Sequence, residues 1–178
     1  MRLLLIKLHL WMASFLCAIL LMIAVSGGLY LFGFKGTTVA TPVSPPAATM
    51  LDARSENLEA EVRALMISVN SDYDFEYIKQ SGSNLVTRPT SRTYYEIKMG
   101  AQTLAITRHD PDWIKTIVEL HRGHGPSLYK RFQQVAAAGL IFVLLTGLWL
   151  GLSSNRLRQQ TLLAMGLGIL VFVILALQ

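Results

Sequence analysis

Three stretches of the chain are apolar almost without interruption, and the segment between the first two alternates. Residues 8–34, 135–152 and 161–177 are runs of Leu, Ile, Val, Phe, Ala and Gly broken by few polar side chains. A helix rises 1.5 Å per residue, so about 20 apolar residues cross the ~30 Å hydrocarbon core of a bilayer. The first run exceeds that length, with Trp11 and Tyr30 near its two ends, where amphipathic rings suit the interfaces. A signal peptide's apolar core is usually about 7–15 residues, so an uncleaved anchor is expected, although TTVATPVSPPAA contains small residues of cleavage-site type. The third run lies at the short limit for a span. With the second it predicts a helical hairpin around the polar loop SSNRLRQQ.

Between the first two spans the pattern changes twice. Residues 36–49, GTTVATPVSPPAAT, show no period and predict an extended linker. Residues 50–122 predict a separate α+β domain. Leu51, Leu58, Val62, Leu65, Met66 and Val69 recur at helical spacing, with Asp52 or Ser55 available as a cap. YDFEYIK alternates, placing Tyr73, Phe75 and Tyr77 on one strand face. SNLVTRP suggests a further strand, and RTYYEIKMG and AQTLAITRH predict a hairpin about Gly100. DPDWIKTIVELHRG opens on a helix start signal and carries Trp113, Ile114, Ile117 and Leu120 as a stripe expected to be buried.

Composition fits this picture. Of 178 residues 52% are hydrophobic and 15% charged, well below the roughly 25% charged of an ordinary soluble chain. The net charge of +5 comes partly from cations beside the apolar runs, among them Arg2, Lys7, Lys130, Arg131, Arg156 and Arg158. No aromatic-interleaved basic patch accompanies them, so a membrane partner is expected and nucleic acid is not. In a three-span topology Arg2 and Lys7 fall on the same side as Arg156 and Arg158. The positive-inside rule then places the N-terminus in the cytoplasm and the soluble domain in the periplasm of a bacterial inner membrane. The single cysteine, Cys17, excludes an intramolecular disulfide and reads as a small buried apolar residue.

LHLWMASFLCAILLMIAVSGGLYLF resembles the first span of PepSY-associated transmembrane proteins, which enter on His-x-Trp and leave on Ser/Thr-Gly. The matching residues are His9, Trp11, Ser26 and Gly27. LHRGHGPSLYKRFQQVAAAGLIFVLLTGLWLGL is similar to the family's second span, through Leu120, His121, Gly123, Thr146, Gly147 and Trp149. The resemblance implies a membrane α-helical fold of three transmembrane helices with an α+β PepSY-like extracytoplasmic domain. It also implies a setting in redox chemistry or iron uptake. The larger members include siderophore-iron reductases, whose histidines hold b-type haems. The resemblance therefore makes His9, His121 and His124 candidate haem b ligands. The chain is about half the size of those reductases, and its third span holds no histidine. The expected function is a non-catalytic accessory or regulatory module, acting in a homo-oligomer or a larger membrane complex. The alternative is a small haem b electron carrier or ferric-reductase-like oxidoreductase that borrows its second ligand.

Elementary chemistry bears on the same residues. A bis-histidine haem needs two imidazoles on opposite sides of one iron. His121 and His124 are three apart and, on a helix, would share a face. That spacing suits a divalent metal, with Glu119 or water completing the shell, or polar residues at a bilayer edge. His109, in TRHDPDW, reads as a surface residue of a strand-to-helix turn. Gly147 and Gly151 form a G-x-x-x-G step for close helix packing. No HExxH, Walker loop, dinucleotide fingerprint or Ser/His/Asp arrangement occurs, so no catalytic residue is expected.

Overall fold

The computed structural model describes residues 2–46, 51–100 and 103–178. Residues 47–49 of the expected linker, residue 50 and residues 101–102 of the expected hairpin lie outside them. Among the described residues, three helices are long and apolar enough to cross a membrane. These are α1 (Arg2–Leu31), α4 (Ser127–Leu152) and α5 (Arg158–Ala176). Between α1 and α4 lie strands β1 (Thr38–Val43), β2 (Tyr77–Ser81), β3 (Asn84–Arg88), β4 (Tyr94–Met99) and β5 (Leu104–Pro111), with helix α2 (Leu58–Val69) after β1 and α3 (Trp113–His121) after β5.

The chain divides into two compact units. One comprises residues 1–20 and 134–178, and the other residues 21–133. In the first unit, Gly139 of α4 accommodates Leu16 of α1 so closely that a Cβ there would collide with its side chain. Leu16 is fully buried as a result, together with Ala136. Helix α5 buries none of its residues within the chain. Cys17, expected to be buried, is exposed, because it lies on a side of α1 that no described residue covers.

In the second unit, α1 ends on Gly33. Its φ of 88° is left-handed, and Phe34 N–H donates to Leu29 O at 2.8 Å while Gly33 N–H donates to Tyr30 O at 3.1 Å. This pair of bonds satisfies the last carbonyls of the helix. The chain then enters a five-stranded antiparallel sheet in the order β1-β5-β4-β3-β2. Helix α2 covers one face, burying Leu58, Val62, Leu65 and Met66 against Phe75, Leu85, Tyr95, Ile97 and Ile106. Thr87 lies in this core with its hydroxyl bonded to Tyr73 and accepting from the Tyr95 N–H.

Several expectations change. The presumed linker contributes β1, an edge strand whose Thr38 to Val43 pair with Pro111 to Ile106. An edge tolerates Pro42, which cannot donate to a ladder. Helix α2 starts after Asn57, without a side-chain cap from Asp52 or Ser55. Phe75 is buried, but Tyr77 begins β2 and is 42% exposed, because Tyr73 and Phe75 precede the strand and are not in its register. Helix α3 turns Val118 and Glu119 inward, leaving Trp113 68% exposed.

Candidate functional site

His9 of α1 faces Thr146 of α4, with Nδ1 2.9 Å from the threonine Oγ1. The threonine hydroxyl has a single proton, and it is directed back into its own helix, to Phe142 O at 2.7 Å with Val143 O at 3.1 Å. With its proton on that carbonyl the oxygen accepts from His9 Nδ1–H, which turns Nε2 outward. Gly147 supplies the room. A Cβ at that position would stand 3.2 Å from His9 Cε1.

The second unit repeats this arrangement. His121 is the last residue of α3, and its Nδ1 lies 2.8 Å from Oγ of Ser26, a buried residue of α1. The serine hydroxyl also lies 3.1 Å from Ile23 O, a second acceptor for its one proton beside the imidazole. Gly27 gives way as Gly147 does, with a hypothetical Cβ 3.2 Å from His121 Cε1. Each imidazole thus rests on a hydroxyl-glycine step, the first span's histidine on Thr146–Gly147 and the later histidine on Ser26–Gly27. Nε2 of both rings has no partner among the described residues. The sequence singled out all six residues but not their crosswise pairing. The available signal was that the first span carries a histidine near its start and a hydroxyl-glycine step near its end, and that the second span is preceded by a histidine and carries such a step as well.

His124 belongs to a different constellation. Helix α3 stops at His121 and the chain turns at Gly123, whose φ is 74°, so the two histidines do not share a helical face. His124 Nδ1 lies 2.6 Å from Glu119 Oε2. Glu119 is 5% exposed and also accepts from the Thr90 hydroxyl at 2.7 Å, with Lys115 Nζ and Arg122 Nη1 each at 3.2 Å. Burial pushes this carboxyl up. The Thr90, His124 and Lys115 contacts outweigh it and lower the group from 4.5 to about 2. Arg88, 8% exposed, donates to the Thr90 hydroxyl at 2.9 Å and extends the network to β3. Sequence periodicity did not signal this buried ionic cluster.

Among the described residues no group of three or more His, Cys, Asp or Glu side chains is placed to hold a metal ion. His121 and His124 direct their Nδ1 atoms to different partners, Ser26 and Glu119. His109, expected in a turn, lies within β5, stacked on Tyr94 with ring centroids 4.8 Å apart, and contacts Glu96 at 3.2 Å. Gly147 and Gly151 are both occupied inside the chain, by His9 and by Thr161.

The family model of the PepSY-associated TM region matches residues 6–174. No curated protein and no solved structure matches the chain.

Proposed function

The chain belongs to the family of PepSY-associated transmembrane proteins, and from that premise we propose that it is a non-catalytic membrane module. In this reading its three spans carry a PepSY-type α+β region that docks on, and regulates, a larger membrane complex of redox chemistry or iron uptake. The observation that supports it best is how the two histidines are used. Each fastens helices by Nδ1, His9 joining α1 to α4 and His121 joining α3 to the end of α1. The α+β region is thereby held firmly to the end of its span, as a region that reports its binding state to the membrane must be. We assign the N-terminus to the cytoplasm and the α+β region to the periplasm of a bacterial inner membrane, on the strength of Arg2, Lys7, Arg156 and Arg158.

A second reading rests on the hydroxyl-fixed rings. An imidazole whose N–H is oriented by a neighbour presents its other nitrogen as a ligand. His9 and His121 would hold a haem b through Nε2, and a bound haem would supply one-electron chemistry. The opposing ligand would come from a second copy or a partner subunit.

The test is the purified full chain. The accessory reading expects no Soret band, and stoichiometric recovery of a membrane partner on mild solubilisation. A Soret band with sharp reduced α and β peaks, lost in His9→Ala or His121→Ala, would put the electron carrier in its place.

A further inference from the structure

Helix α3 is tied at both ends to one stretch of chain, the last turns of α1 and the residues just after it. At its C-terminal end His121 Nδ1 lies 2.8 Å from Ser26 Oγ. At its N-terminal end the Asp112 carboxylate accepts from the Thr37 N–H at 2.8 Å and hydroxyl at 2.9 Å. Between these ties Gly36 packs so closely that a Cβ there would collide with the Lys115 backbone. Nine residues of helix rise about 13 Å, so α3 lies along residues 26–37 for its whole length. The span sets the depth of that stretch. The apolar run of α1 begins at Leu8, and about 20 helical residues fill the ~30 Å hydrocarbon core, so the far face of the core falls near Gly28. We propose that α3 is an interfacial helix, its first turn seated with Phe32 and Phe34 in the headgroup layer of the bilayer that α1 crosses. The inference goes beyond the accessory reading, which gives the α+β region no contact with lipid.

The side chains at this depth suit that layer. Phe32 is 82% exposed, Phe34 59% and Trp113 68%. Aromatic rings gather at the level of the headgroups, where an indole keeps its N–H wet and its ring against acyl chain. Lys35 and Arg122 are exposed cations of the same stretch and supply charge for lipid phosphates. A soluble partner would have to enter the headgroup layer to reach these rings. Continuity with the span therefore identifies lipid as their cover. The same placement accounts for the apolar stripe of α3, whose tryptophan is spent on the bilayer and not on the core.

The experiment uses the full chain in phosphatidylcholine nanodiscs, with Trp11→Phe and Trp149→Phe leaving Trp113 as the only tryptophan. Three quenchers read its surroundings: a nitroxide on the lipid headgroup, a nitroxide near the end of the acyl chain, and iodide in the water. The headgroup nitroxide should quench Trp113 most, and the acyl-chain nitroxide several-fold less. Iodide should quench it several-fold less than it quenches free tryptophan. Phe34→Trp, in a chain whose native tryptophans are all replaced by Phe, should give the same ranking and probes the layer from the α1 side. Iodide quenching equal to that of free tryptophan, with the headgroup nitroxide ineffective, overturns the proposal by placing α3 in water. Protection from all three quenchers overturns it too, by placing a second copy or another protein over the ring. So does strongest quenching by the acyl-chain nitroxide, which would sink Trp113 into the hydrocarbon core. None of these outcomes touches the partner-capture test of the accessory reading.

Discussion

The two histidine fastenings have the same geometry and different surroundings. At both, an imidazole Nδ1 meets a hydroxyl at 2.8–2.9 Å over a glycine. His9 is half-buried, and among the described residues no ion pair involves it or Thr146. His121 is exposed, stands two residues after a buried carboxylate, and lines a cavity. A shared local design thus serves a closed joint in one case and an accessible one in the other. What differs is whether the ring's outer edge can reach solvent or a ligand.

The strongest way to break the contrast is to remove the charge that only the second fastening has nearby. Glu119→Gln should destabilise the chain by about 3 kcal/mol, since it strips the shared partner from Lys115, Arg122 and His124. Thermal unfolding in detergent measures it. Acid should act on the same group. Folded Glu119 titrates at about 2 against 4.5 for the free carboxyl. A lowered folded value gives stabilisation that is complete above 4.5 and is lost as pH falls towards 2. The unfolding midpoint should drop across that window, and less steeply in Glu119→Gln.

A smaller effect separates the two glycines. Leucine at Gly147 should cost about 2 kcal/mol by overpacking against a half-buried ring. Leucine at Gly27 should cost less, because an exposed His121 can swing away. Equal losses in unfolding midpoint would erase the distinction between the two joints. Smallest is removal of the hydroxyls. Thr146→Val should cost about 1 kcal/mol and Ser26→Ala less, since water can serve His121 in place of the serine.

The three spans were legible because a bilayer demands continuous apolar surface, and that demand is written in every residue of each run. The hairpin of β4 and β5 and the core face of α2 were legible from alternation and helical spacing for the same reason. Two classes of feature were not. Strand β1 has a proline and little alternation, and it exists only because β5 offers a free edge some seventy residues later. The fastenings join residues 137 and 95 positions apart, and the buried Glu119 is tolerable only among partners drawn from α3 and from the loops after β3 and α3. Periodicity counts apolar residues and so places Trp113 in the core, whereas α3 turns a carboxylate inward and leaves its tryptophan outside.

The pairing of β1 with β5 has a mechanical meaning. Thr38, just after α1, lies opposite Pro111, just before α3. Tension applied between these two points loads an antiparallel ladder from its open end, so its hydrogen bonds are met one pair at a time rather than all together. Such a seam yields to small forces and recloses readily, whereas one pulled along its length would hold. Asp112 guards the first pair. Its carboxylate accepts from the Thr37 N–H at 2.8 Å and hydroxyl at 2.9 Å, and from the Lys115 N–H at 2.7 Å at the start of α3. A single side chain is thus the latch of a zip, set where the strand from the first span meets the helix leading towards the second.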